Sequence, residues 1–262
     1  MLKRKIQEKH FLERAKSVDH CLRDFGKKPE QETLHRLRVE IKKIKAILLL
    51  QKGSFNDEKL PDEFSKVRKV FRKAGAIRAA ALNIDMLKQH KIRSPEMKRI
   101  QSLTIKNESK RFRSQTDVYR KKISKSLRFF QRRIINIKDE SILLLFRHEL
   151  NQLSGFFRAR LGTNQLHDCR KKLKNLLYVF DSLSPAIAKK IKLNKLYLKK
   201  LEEAIGQWHD VTDLIELMRK NGYTTARLPH ELITERQRLR KNVHDLSTDF
   251  RENMLLGLKS DS

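Results

Sequence analysis

His35, Arg38, Lys42 and Lys45 follow one another at spacings of three, four and three residues. On a helix, at about 100° per residue, they fall within roughly 80° of each other and form one stripe. Like charges stacked about 5 Å apart along an axis repel. The row becomes favourable when a chain of anions lies against it. Phosphate suits it, because Arg supplies a planar fork of donors, Lys a compact charge and His one more donor. The row is then given a second time: His167, Arg170 and Lys174 repeat the first three positions, with Leu177 in place of the fourth cation.

The elements that must carry these rows are helices. Leu34, Leu37, Ile41, Ile44 and Leu48 keep an apolar spacing of three and four, and Leu166, Cys169, Leu173, Leu176 and Phe180 match them in register. Each set is one buried helix face. The cationic stripe borders that face, while Arg36, Val39, Glu40 and Lys43 take the outward arc. A row at the boundary can face a neighbouring helix or a groove. Eight Gly and five Pro, roughly 5% of the chain against an average near 12%, leave few places to end a helix. Breaks are expected at 26–30, 52–63, 94–95, 136–139, 162–164, 184–185 and 221–229. They leave eight helical segments, four on either side of the link at 136–139, with no sustained strand alternation. Downstream of each stripe a glycine recurs, Gly75 in FRKAGAIRAAALNI and Gly206 in EAIGQWHDVTDLI. The expected fold is all-α: two antiparallel four-helix bundles, residues 1–135 and 136–262, related as two copies of one unit.

Composition narrows the partner. Sixty-one Lys and Arg against 31 Asp and Glu give a formal charge of +30, which a polyanion would offset. Cys21 and Cys169 belong to no CxxC pair, so neither a zinc site nor a disulfide framework is expected. The N-terminal residues are amphipathic without an apolar h-region, and the longest apolar runs, 46–50 and 142–146, are too short to span a bilayer. The expectation is a cytoplasmic protein with no membrane partner.

At these residues the sequence resembles the CHAD family, the conserved-histidine α-helical domain. The matching segments are HRLRVEIKKIK at 35–45 and HDCRKKLKNLLY at 167–178, with the glycine-centred segments at 75–78 and 206–210 similar to a second family signature. The resemblance implies two four-helix bundles around a pseudo-twofold axis, a basic groove between them, and inorganic polyphosphate as ligand. It also implies association with polyphosphate granules. By matching position, His35, Arg38, Lys42, Lys45, His167, Arg170 and Lys174 would line the groove, with Lys69, Arg78 and Lys200 as further candidates. Ala79 departs from the family's Asp, His209 pairs with Arg78, and Leu177 breaks the second row, so the first repeat reads as the more basic.

Rival functions lack their signatures. An accessory role beside a triphosphate-metabolising enzyme remains an alternative, but the chain has no ExExK strand, no GxxxxGK[ST] loop and no HExxH. Asp210, Asp213 and Glu216 share a helix face and read as partners of the abundant cations rather than as a metal site. No cofactor, metal or catalytic residue is expected. Nucleic acid is the other alternative partner, engaged non-specifically through phosphates. Aromatics make up only 7% of the chain, and Phe11, Phe71, Phe129, Phe146 and Phe180 sit at core-like spacing rather than forming a stacking platform.

Overall fold

The computed structural model describes residues 1–51, 60–158, 162–224 and 227–256. Most of the turn-rich loop expected at 52–63 lies outside those residues. The described residues form eleven helices: α1 Arg4–Lys27, α2 Gln31–Leu50, α3 Leu60–Gln89, α4 Pro95–Ser114, α5 Thr116–Gln131, α6 Asp139–Arg158, α7 Thr163–Phe180, α8 Pro185–Ile191, α9 Lys195–Lys220, α10 His230–Thr248 and α11 Phe250–Asn253. Among them there is no sheet, only two isolated bridges. The chain divides into two compact units, Met1–Ile137 and Lys138 onward.

Eleven helices stand where eight segments were expected, because side chains stop helices without Gly or Pro. The 95–131 stretch breaks at Gln115. There Thr116 Oγ1 donates to the Arg113 carbonyl at 2.9 Å, and Ser114 Oγ to the Arg111 carbonyl at 3.0 Å. Such local bonds compete with the helical ladder. In the second unit, Lys192 takes a left-handed conformation (φ 53°) that ends α8. Asn194 then caps α9 by accepting from the Tyr197 amide at 3.2 Å.

In the first unit α1 packs on α2 and α5, and α3 on α2, α4 and α5. The core is the apolar face read from sequence: Leu34, Leu37, Ile41, Ile44 and Leu48 are all buried, with Phe11, Phe25, Ile77 and Phe130 from the other helices. Phe25 and Phe112 meet edge to face at 5.3 Å between centroids. Arg113 closes the end of α1, its Nε donating to the Gly26 carbonyl at 2.7 Å. In the second unit α7 packs on α6 and α9, and α10 on α9. Leu166, Cys169, Leu173 and Leu176 are buried as their register demands, while Phe180 is half-buried against Phe146.

Two buried glutamines clasp the first unit shut. Leu2 and Ile137 exchange backbone hydrogen bonds of 2.8 and 3.1 Å. Gln7 Nε2 donates to the Ile135 carbonyl at 2.9 Å, and Gln51 Nε2 to Gln7 Oε1 at 2.5 Å. Gln51 Oε1 accepts from the Ile135 amide at 3.2 Å. Gln51 is fully buried. Gln51→Leu keeps the volume but orphans the Ile135 amide and the Gln7 carbonyl oxygen. A buried polar group left unsatisfied costs about 1–3 kcal/mol. Urea denaturation of the variant should show a loss of that size, and unchanged stability would mean that water replaces the clasp.

Candidate functional site

The stripe of the first unit is built by one close approach between α2 and α3. With Leu34, Leu37 and Ile41 committed to the core, Arg38 and Lys42 are left half-buried on the edge facing α3. Arg38 reaches across. Its Nη1 donates to the Phe71 carbonyl at 2.8 Å, and its Cζ lies 4.0 Å from the centre of the Phe71 ring. Lys42 Nζ lies 6.0 Å from the same ring. The guanidinium fits because residue 75 is glycine. A Cβ there would stand 2.1 Å from Arg38 Nη1. Mid-helix glycine costs about 1 kcal/mol relative to alanine, so the cation's approach explains why α3 carries one. Burial, and secondarily the charge of Arg78, hold the Arg38 guanidinium below its usual pKa. Among the described residues neither Arg38 nor Arg78 forms an ion pair with a carboxylate.

The second unit makes the same approach with different chemistry around it. Arg170 lies against Gly206 of α9, where a Cβ would come within 2.6 Å of Nη2. Aligning Gly75 with Gly206 puts Glu202 at the position of Phe71. Glu202 is buried, accepts from Arg170 Nε at 2.9 Å and lies 3.1 Å from Lys174 Nζ. The rings of His167 and His209 lie with centroids 4.4 Å apart, tilted by 43°. His209 Nδ1 is 3.0 Å from Asp213 Oδ2, near enough for charge pairing although not aligned as a hydrogen bond. Asp213 raises the His209 pKa. Burial, helped by the His209 charge, lowers that of His167.

The structure therefore gathers Arg38, Lys42 and Arg78 at one α2/α3 site, and His167, Arg170 and Lys174 with His209 at one α7/α9 site. His35, Lys45, Lys69 and Lys200 have exposed side chains. One placement differs from the sequence reading. Glu40 is buried instead of outward, held by Lys43 at 2.8 Å and Arg14 at 3.3 Å as α1 covers that arc. Phe71 and Phe129 pack against the core at its edge, half-buried, each with a guanidinium over the ring, Arg133 Cζ lying 3.5 Å from the centre of Phe129. Phe71 and Glu202, which the sequence reading missed, were marked only by their distance from the paired glycines. Among the described residues no cluster of three His, Cys, Asp or Glu could hold a metal ion. No described helix is long and apolar enough to cross a membrane.

Asp210 is half-buried near Arg170, His209 and Lys174. Burial raises its pKa despite those cations. A carboxyl whose folded pKa is raised stabilises the fold at low pH, and that contribution is lost as pH rises through the raised value. Asp210→Asn should therefore melt higher than the wild type at pH 7. The gap should close as pH falls below the ordinary carboxylate range. A variant that melts lower at pH 7 would mean that the ionised carboxylate is a net stabilising partner of Arg170.

The structure is similar to the crystal structure of the CHAD domain from the plant Ricinus communis, with a TM-score of 0.64 over 96% of this chain and 90% of that one at 12% identity. No curated protein sequence matches. The family model described as CHAD domain matches residues 10–219. That segment holds both arginine–glycine contacts, and since it spans most of the sequence the chain belongs to the CHAD domain family.

Proposed function

We propose that the protein binds inorganic polyphosphate, without catalysis, through the cations of the α2/α3 and α7/α9 sites. The observation that carries this reading is Arg38, a half-buried guanidinium laid against Gly75 and the Phe71 ring. Arg38 is half-buried against a ring and a backbone carbonyl, with another guanidinium as its electrostatic neighbour. Desolvated like charges are unfavourable until an anion joins them. A phosphate oxygen accepts well from such a fork and brings the missing charge. A formal +30 favours a ligand with many charges over a single phosphate. Family membership supports the same ligand class. Nucleic acid fits less well, because Phe71 and Phe129 already lie under guanidiniums.

Affinity should climb from orthophosphate through short to long polyphosphate, and should fall steeply with salt as counterion release requires. Calorimetry over a chain-length series at two salt concentrations checks this. Equal affinity for orthophosphate and long polymer would instead indicate a small-molecule site.

Position, and not charge alone, should matter. Arg38→Ala with Arg170→Ala removes two cations laid against glycines. Arg36→Ala with Lys171→Ala removes two exposed cations from the same helices, facing Asp24 at 3.8 Å and Asp168 at 3.0 Å. Hydrogen bonds to charged groups are worth about 1.5–3 kcal/mol each. The first pair should therefore lose on the order of a hundredfold in polyphosphate affinity and the second only a few-fold, with helicity unchanged in both. Equal losses would make binding a diffuse surface-charge effect.

A further inference from the structure

The two sites differ in sign balance, and the difference is concentrated on one helix. With Gly75 and Gly206 superposed in sequence, Phe71, Ala79 and Leu82 of α3 correspond to Glu202, Asp210 and Asp213 of α9. Three neutral side chains on one helix are three carboxylates on the other. Glu202 is the decisive one. Its side chain is only 11% exposed, and one oxygen, Oε1, serves both Arg170 and Lys174. In such a place an ion pair is screened little by salt and attracts strongly. A phosphate approaching Arg170 and Lys174 meets cations that already have an anion. In the first unit the corresponding position offers Arg38 a ring and a carbonyl oxygen in place of a carboxylate.

We infer that Glu202 is a built-in competitor for the anion, which holds Arg170 and Lys174 in reserve and leaves the α2/α3 site as the main anchor. The inference rests on the polyphosphate reading above and sets how the two sites share it. Exchange at the second site is a swap of partners. The carboxylate must leave Arg170 and Lys174 and regain solvent before phosphate oxygens take its place. Only a ligand whose charge density exceeds that of one carboxylate gains from the swap. Glu202 thus discriminates against singly charged anions at the second site while tolerating a dense phosphate chain. Among the described residues Arg38 has no buried carboxylate in that role.

The test uses long-chain polyphosphate and the full chain. Glu202→Gln keeps the shape and removes the competing charge, so affinity should rise about tenfold. Glu203→Gln is the control. It makes the same change of net charge one residue along, at an exposed carboxylate that faces Lys199 at 3.6 Å. It should change affinity less than twofold. Arg170→Ala placed in the Glu202→Gln background should erase the gain. Polyphosphate should also raise the melting temperature of Glu202→Gln more than that of the wild type, because the ligand then supplies the anion the variant lacks.

A reciprocal change tests the idea in the other unit, independently of how Glu202→Gln folds. Phe71→Glu installs a carboxylate beside Arg38 and Lys42, whereas Phe71→Leu removes the ring alone. Phe71→Glu should bind polyphosphate about tenfold more weakly than Phe71→Leu. Equal effects of Glu202→Gln and Glu203→Gln, or of the two Phe71 variants, would overturn the inference while the wild type still binds. A wild-type protein indifferent to polyphosphate would overturn the broader reading and this inference with it.

Discussion

A guanidinium can come this close to the backbone of a neighbouring helix only where that position has no Cβ. Both arginine stripes depend on this constraint. At Gly75 and Gly206 a single methyl group would collide with the Arg38 or Arg170 fork. The glycine leaves room for the guanidinium where the two helices meet. The leucines beside the arginine are buried in the core. Packing and site are one arrangement in each unit: the apolar face sets the helix rotation, and the glycine lets that rotation bring a cation against the adjacent backbone.

Around that common contact the units diverge. One surrounds its arginine with an aromatic ring, a carbonyl and a second guanidinium. The other surrounds it with a buried glutamate, two histidines and two aspartates. The first environment keeps net positive charge in a partly desolvated place, and the second largely cancels it. Matching apolar faces therefore carry differently charged surroundings, because the side chains at the rim vary independently of the core.

The apolar register was plain in the sequence, since Leu34, Leu37, Ile41 and Ile44 and their counterparts from Leu166 to Leu176 obey one helical period and are all buried. The arginines and glycines were legible for the same reason, being tied to that period. What stayed hidden depends on neighbours. Glu40 reads as outward on its own helix, yet α1 covers it and brings Arg14. The break at Gln115 comes from hydroxyls folding back onto carbonyls, and neither Ser114 nor Thr116 signals that by type. Glu202 looked like any charge on a polar helix until the crossing with α7 placed two cations on it.

The glutamine clasp has a consequence for the order of events during synthesis. Gln7 and Gln51 meet each other and the backbone of Ile135, so the partners span almost the whole first unit. A chain emerging from the ribosome at about 5–20 residues per second needs roughly ten seconds to travel from residue 51 to residue 137. Helices α1 and α2 are neighbours and can pair early, which brings Gln7 and Gln51 together, but their bonds to the Ile135 backbone wait until that residue arrives. The first unit is thus completed by its final three residues, and sealing its polar interior coincides with the start of the second.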